Sequence, residues 1–547
     1  MEFGLSWIMF RKYLLVFILF LFFPVILPAQ EALKSVEEDY YDFLAMQGLT
    51  ERPALNYRTL SDSVWSVKED VSHLWQRQNL GIWHNLFGNF RIRAYGPELF
   101  MSGNTAAPYG QNDGVLWQGR GFNALLKGGV RFEGYGVELT LLPHLAFSQN
   151  VEFEIMPSAY ESEYGYFWGY GVDAPQRFGN KLFFDWDFGD SEIRYTWKTL
   201  TIGFGTQAIW LGPAYLNSIL HSNNAPAYPK FDIGLRRQRV TLPWLGWYIG
   251  DVEARLWVGR LTESDYFDSD DTNDHTMIHG LSFAYAPSFL PGLTLFANRV
   301  CLVPWAWENL KFIFPRDENT IEDQKGSFGF LWIFPQVGFK VYGELGIDDF
   351  VPDGFPLGYV RYPLHTMLYT VGLRKAISIV PSHNIHGELL FEWNSMEMSQ
   401  NYQFHWPYSP YFHHQIVQGY TNRGQWLGVG TGWGGNSQYL EFKVYYPKGT
   451  SSLFIHRNNP DNNFLYSKAV YASASDGEMG EQYIKSWKAN LAIGLNTNYF
   501  ITGAFSLGGG FVYNLILNPY YYFDKINYRE DEFIHNFSLQ LMLKYTF

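Results

Sequence analysis

Carboxylates and histidines are the side chains in this sequence whose spacing could do chemistry. Residues 263–274 read ESDYFDSDDTND and carry six carboxylates. Oxygen ligands at that density suit a hard cation such as calcium, but the run lacks the glycine and the distant glutamate that shape an EF-hand. A solvated loop is the plainer expectation. Fourteen histidines are scattered along the chain. His413 and His414 are adjacent, and as a loop pair they fit surface or sugar contact better than metal binding. No Ser/His/Asp set can be picked out, and the G-x-S-x-G, H-E-x-x-H and P-loop spacings do not occur. The expectation is a protein that is not an enzyme and carries no cofactor and no metal.

Aromatic side chains offer a second chemistry. Residues 401–425 read NYQFHWPYSPYFHHQIVQGYTNRGQ and concentrate Tyr402, Phe404, Trp406, Tyr408, Tyr411 and Phe412, with Pro407 and Pro410 to stiffen them. Aromatic faces pack on the C–H faces of sugars, while His and Asn reach the hydroxyls. Trp406, Tyr408, Tyr411 and His413 are therefore candidate polysaccharide contacts. The same rings could instead fold inward and pack the loop over a barrel mouth, and both can hold at once. A second stretch, residues 207–226, reads QAIWLGPAYLNSILHSNNAP. Gly212-Pro213 signals a turn, and Asn223-Asn224 suits Asx turns or left-handed residues. A structured loop follows from this, but a ligand does not.

Such loops need a scaffold, and most of the chain reads as one. From about residue 87 the apolar period is two. At the C-terminus Phe537, Leu539, Leu541, Leu543, Tyr545 and Phe547 share one face, while Ser538, Gln540, Lys544 and Thr546 lie on the other. Elsewhere Val252, Ala254, Leu256 and Val258 alternate with Glu253 and Arg255. Leu389, Phe391 and Trp393 alternate with Glu388 and Glu392. Leu440, Phe442, Val444 and Tyr446 alternate with Glu441 and Lys443, and Val137, Leu139 and Leu141 with Glu138 and Thr140. One face suits lipid and the other a polar lumen braced by ion pairs, with the terminal aromatic as an insertion signal.

Short turns are expected near residues 134–136, 198–199, 242–251, 287–293, 334–336, 380–384, 434–437 and 497–499, with longer loops between them. That alternation predicts an all-β transmembrane barrel of about 18 antiparallel strands, with both chain ends in the periplasm. The loop at residues 401–425 then falls outside the cell.

Ahead of the barrel, residues 30–86 read as a small helical periplasmic segment. Leu33, Val36, Tyr40 and Phe43 recur at helical spacing, as do Val64, Val67, Val71 and Leu74 after a possible cap at Ser61. Two such helices bury little alone, so they are expected to dock on the barrel end and plug or steady it. Residues 1–29 read as a cleaved signal peptide: Arg11 and Lys12, an apolar run over 13–26, then Leu27-Pro28-Ala29. That run is short for a spanning helix, which needs about 20 apolar residues. Met9 is a more natural start than Met1. The barrel proper is assigned to residues 87–547.

Bulk properties agree. Charged residues make up 17 % and aromatics 19 %, against about 25 % charged in a soluble domain. A mean hydropathy of −0.17 excludes a helical membrane bundle. The net charge of −13 excludes a nucleic-acid partner. A single cysteine, Cys301, allows no internal disulfide.

The stretch at residues 207–226 also carries a resemblance. Gln207, Trp210, Gly212, Pro213, Ser222, Asn223, Asn224, Ala225 and Pro226 match the pattern of the Wzi-type capsule assembly proteins of Gram-negative outer membranes. Gly119-Arg120-Gly121-Phe122, Gly128-Gly129-Val130 and Leu142-Pro143 look like the same family. Leu211 stands where an aromatic is expected, and Ala214 where a glycine is common. The resemblance implies a non-enzymatic protein, integral to the outer membrane, that holds capsular or exopolysaccharide in a lectin-like manner. Its implied partners are surface polysaccharide, outer-membrane lipid and the barrel-insertion machinery. The competing readings are a sugar-selective porin, which would conduct ions, and an outer-membrane hydrolase, which would need a compact catalytic set.

Overall fold

The computed structural model describes residues 35–67, 71–169, 171–313, 321–348, 357–361, 367–397, 410–465, 487–521 and 532–547. The expected signal peptide, Trp406 and Tyr408 lie outside them.

Period-two alternation becomes a wall of 18 antiparallel strands. The first long strand, Arg91–Asn104, pairs with Gly121–Gly134 on one side and with the last strand, Phe533–Tyr545, on the other, which closes the barrel. Two neighbouring strands are each split. Val137–Leu141 and His144–Ser148 flank Leu142-Pro143, where proline removes a ladder donor. Across from them, Phe183–Asp187 and Glu192–Trp197 are split likewise, and pairing resumes beyond the gap.

Large apolar side chains such as Leu139, Ile193, Phe204, Leu453 and Leu539 stand exposed on the outer face. At the short-turn end Trp197, Trp244, Trp247 and Phe289 form an aromatic girdle, with Trp244 96 % exposed. Among the described residues no helix is long and apolar enough to cross a membrane.

The turns at 446–449 and 500–505 correct two expected positions. Residues 434–437 lie at the long-loop end, where the Gly434 N–H donates to the Met396 carbonyl at 3.0 Å. Residues 497–499 lie inside the strand Ala489–Phe500. Polar residues such as Asn498 mark a turn in a soluble protein, but here Asn498 points into a polar lumen. The terminal ladder also stops at Tyr545 rather than Phe547. The Asn79 amide instead donates to the Phe547 carbonyl at 2.8 Å.

Among the described N-terminal residues one helix forms, Val36–Met46, capped by Ser35 Oγ, which accepts the Glu38 N–H at 3.1 Å. The described residues 64–67 and 71–74 do not form the helix expected around Val64 to Leu74. Residues 50–67 run through the lumen in irregular conformation, with Thr50 and Val67 bridged. Backbone groups of residues 55–58 and 61 bond to the wall and to a mouth loop, and near the valines Thr50 donates to the Ser66 carbonyl. The helix itself sits within the barrel. Its Asp42 pairs with Arg52 at 2.9 Å and with wall residues Arg374 at 2.6 Å and Lys340 at 2.5 Å. Its Asp39 pairs with Arg374 at 2.9 Å and with Lys443, and Glu37 pairs with Lys544 at 2.7 Å.

Candidate functional site: the loop plug and the lumen

Two wall carboxylates organise the interior. Glu253 accepts the N–H groups of Leu55, Asn56 and Tyr57 at 2.7, 2.9 and 2.7 Å. Glu392 accepts those of Tyr215, Leu216 and Asn217 at 2.6, 3.1 and 2.8 Å, plus the Tyr342 hydroxyl at 2.7 Å. Three successive N–H groups turned onto one anion form a nest, which satisfies donors that would otherwise be costly to bury. One carboxylate holds the N-terminal segment and the other holds the loop at residues 206–229.

These two pieces also pair with each other. Arg58 and Trp210 exchange backbone hydrogen bonds at 3.1 and 2.8 Å, and the Gly212 N–H donates to Asn56 Oδ1 at 2.9 Å. Gly212 has φ +76, and a Cβ there would meet the Glu344 carboxylate at 2.9 Å, so two constraints favour glycine.

A chain of ion pairs ties the plug to the neighbouring strands. Arg131 reaches Glu138 at 2.6 Å, and Glu138 reaches Arg236 at 2.6 Å. Asp62 of the N-terminal segment meets Arg236 at 2.7 Å and Arg255 at 3.2 Å. Asp232 then bridges Arg255 at 2.6 Å and Arg194 at 2.5 Å. The lumen was expected to be crossed by bracing pairs, and it is. Asp62, the plug's own link in that chain, was not anticipated.

The loop at residues 207–226 is folded inward. Gln207, Trp210, Gly212, Pro213, Ser222, Asn224, Ala225 and Pro226 are buried, and Asn223 is half-buried. Gln207 exchanges hydrogen bonds with Ser61, both at 3.0 Å. Ser222 N–H donates to the Leu427 carbonyl at 2.8 Å, and Asn224 Nδ2 to the Trp426 carbonyl at 3.0 Å. The Gly114 N–H donates to the Asn223 carbonyl at 2.9 Å. Three long loops, around residues 105–120, 206–229 and 410–435, thus interlock. Leu211, off the family pattern, is fully buried in the same core. Burial holds His221 low, at about 4, so it is neutral. Its Nδ1 lies 3.0 Å from the Ile209 carbonyl and its Nε2 2.6 Å from the Tyr228 hydroxyl.

Tyr411 is fully buried among these loops. Its hydroxyl donates to the Ile219 carbonyl and accepts the Val429 N–H at 3.0 Å. Phe412 packs on Trp433 at 4.0 Å between ring centroids. His413 is half-buried, and its Nδ1 accepts the N–H groups of Gln415 and Ile416 at 3.3 and 3.1 Å. Tyr411 and Phe412 therefore take the inward packing.

The acidic run is bonded largely to itself. Asp268 accepts the Asp270 N–H at 2.9 Å, and Asp270 accepts the Thr272 N–H at 3.0 Å. Burial, and then Asp173 and the aspartates of the run, push the Glu263 carboxyl up to about 9. Among the described residues no group of three or more His, Cys, Asp or Glu is placed to hold a metal.

Beside the plug lies a cavity of about 810 Å³, walled by the strands Asn436–Tyr446, Gly449–Asn459, Ala489–Phe500 and Phe505–Leu517 and by the loop at residues 106–120. A second cavity of about 420 Å³ shares Phe100, Gln111, Leu216, Tyr439, Asn496 and Gln540 with it and reaches Arg374 and Lys443. The cavities were not anticipated from sequence, and Glu253 and Glu392 were read as lumen-facing but not as anchors of backbone N–H groups. The signal for the first cavity was one inward-facing asparagine on each of three neighbouring strands, Asn458, Asn490 and Asn514.

Wall, plug and interlocked loops define the class: a transmembrane β-barrel, integral to the outer membrane, with an occupied lumen. Within that class, residues 148–300 match the family model of capsule assembly protein Wzi, so the resemblance carried by residues 207–226 falls inside the matched stretch. The solved Wzi of Escherichia coli, an outer-membrane protein of group 1 capsule assembly described as a carbohydrate-binding β-barrel, has the same fold. The two share 13 % identity at a TM-score of 0.59, over 95 % of this chain and 100 % of that one. OprB of Pseudomonas putida is 11 % identical, TM-score 0.37, over 83 % of this chain and 94 % of its own. OccAB2 of Acinetobacter baumannii is 10 % identical, TM-score 0.36, over 83 % and 98 %. Both likenesses are too low to bear on function. No curated protein matches the chain.

Proposed function

We propose that this protein holds capsular or exopolysaccharide at the cell surface as part of capsule assembly, without catalysing a reaction. The observation that carries the reading is the plug. A conduit needs an open lumen, whereas here Glu253 and Glu392 bind the backbone of two segments laid across it. The Wzi family match over residues 148–300 supports the same reading. In this arrangement residues 1–29 are the cleaved leader, residues 30–86 fill the periplasmic half, and residues 87–547 form the barrel delivered by the insertion machinery.

Trp406, Tyr408 and His413 would meet the polymer, with Tyr411 anchoring their loop from below. Each contact is worth on the order of 1 kcal/mol. A repeating polymer makes many such contacts at once, so avidity supplies the hold. Cells carrying Trp406→Ala, Tyr408→Ala and His413→Ala together should insert the barrel normally and shed polysaccharide into the medium. Full retention by that variant would move the contact surface elsewhere, while cells deleted for the whole protein that still retain polymer would overturn the function. The porin reading predicts steady conductance in planar bilayers, and the occupied lumen predicts little.

A further inference from the structure

We infer that the larger internal cavity is itself a binding site for a neutral, hydroxyl-rich glycan segment, a site distinct from the outer aromatic loop. The inference rests on the polysaccharide-holding reading and locates part of it inside the barrel. At about 810 Å³ the cavity falls in the range of ligand sites. Its wall is built from amides in neighbouring strands. Asn458 stands opposite Asn490 across one ladder, and Asn514 opposite Ala492 across the next.

The side-chain oxygens of Asn458, Asn490 and Asn514 and the Nε2 of His456 are buried with no hydrogen-bond partner within the protein. His456 and Asn514 are 8 % and 5 % exposed, so solvent at the outer surface does not account for them. The same four side chains line the cavity, so a ligand that fills it meets three amides and an imidazole. Aromatic faces complete the lining. Tyr439 stacks on Phe454 at 5.5 Å between centroids, and its ring meets His456 edge-on at 5.6 Å.

This lining selects among ligand classes. An apolar ligand would leave the amides unbonded. A strongly charged one would find no field of a single sign, since Asp113 and Glu154 are balanced by Arg120 and Lys488. A neutral glycan both donates to and accepts from amides, and it offers C–H faces to the rings. Gln111 and Leu216, which line the cavity from the plug side, come from the interlocked loops, so ligand there would also brace the plug.

The test uses the full-length protein in detergent, the producing cell's own surface polysaccharide, and short oligosaccharides cut from it. Wild type should bind both. Ala492→Trp, which fills the cavity, and the pair Asn490→Leu with Asn514→Leu should each weaken oligosaccharide binding by about tenfold or more. Ser382→Ala, in the short turn Pro381–His383 and outside the cavity lining, should leave oligosaccharide binding unchanged. Wild type that binds polymer but not oligosaccharide, or cavity variants that bind as wild type does, would overturn the cavity site and leave the function standing; the cavity would then hold water alone. Wild type that binds neither would overturn both.

A second measurement covers variants that fail to fold. Asn514→Cys in a Cys301→Ala background should react with a small neutral thiol reagent, and saturating oligosaccharide should slow that reaction several-fold. An unchanged rate would equally refute the site.

Discussion

Single side chains in this barrel hold whole segments in place. Glu392 supports three backbone N–H groups and a tyrosine hydroxyl. Glu392→Ala removes the acceptor of these donors and of the Asn217 side-chain amide, which also donates to it at 3.2 Å, at a cost of about 1–3 kcal/mol for an unsatisfied group and more for the set. Tyr342→Phe removes one donor and should cost only about 1 kcal/mol. Unfolding midpoints in detergent should therefore fall far more for the first variant than for the second. Asp461, just beyond the strand Gly449–Asn459, makes a pH-dependent contact. Burial pushes its carboxyl up to about 7, against opposing bonds from the Tyr166 hydroxyl at 2.8 Å and the Phe464 N–H at 3.1 Å and the charge of Lys488. The packed loop keeps the proton that an opened loop gives up near the ordinary value of 3.8. Packing is thus fully favoured below about pH 4 and weakens as pH rises to about 7. Limited proteolysis of the mouth loops, normalised to an unfolded substrate, should speed up from about pH 5 to about pH 8, and Asp461→Asn should flatten that rise.

At the scale of elements, the N-terminal helix and the extended segment after it act as one insert. The helix is short, and isolated helices under about 12 residues are marginal in water. Its stability comes from Ser35 at the cap, from Tyr40 and Phe43 packed on Trp75 and Tyr445, and from Asp39 and Asp42 facing Lys340, Arg374 and Lys443. Asp39→Asn with Asp42→Asn strips Lys340 of its carboxylate partner, a loss of about 3–5 kcal/mol, while Arg374 and Lys443 each lose a partner but keep Glu388 and Glu441. The insert should then loosen, and single-channel recordings should register intermittent steps absent from wild type. Removal of residues 35–80 should give larger, steady conductance if this insert fills the lumen, and an unchanged baseline would show that the mouth loops close it alone.

The whole molecule depends on its terminal strand, which closes the wall by pairing with the first. Leu541→Asp with Leu543→Asp places two charges on the lipid face, at up to a few kcal/mol each near the bilayer midplane. Neither that variant nor one lacking Phe547 should reach normal outer-membrane levels by heat-modifiable gel mobility. Lumen substitutions such as Asn490→Leu should insert normally, because they leave the lipid face intact. The contrast separates assembly from function, and equal defects on both faces would contradict the inside-outside assignment.

What the sequence determined by itself was the wall. A period of two is a local property, and each strand carries its own record of which face meets lipid and which meets the lumen. The C-terminal run from Phe537 to Tyr545 and the run around Glu253 read correctly for that reason. The family pattern at residues 207–226 was equally local. The turns at 446–449 and 500–505 were misread because a polar lumen makes inward asparagines resemble loop residues.

Only the tertiary structure decided where the loops and the N-terminal segment go. Asn56 meets Glu253 across 197 positions of sequence, and Asn217 meets Glu392 across 175. Tyr411 finds Ile219 across 192. No local period encodes such partners. The helical spacing of Val64, Val67 and Val71 did not show that Thr50 would bridge Val67 and donate to the Ser66 carbonyl.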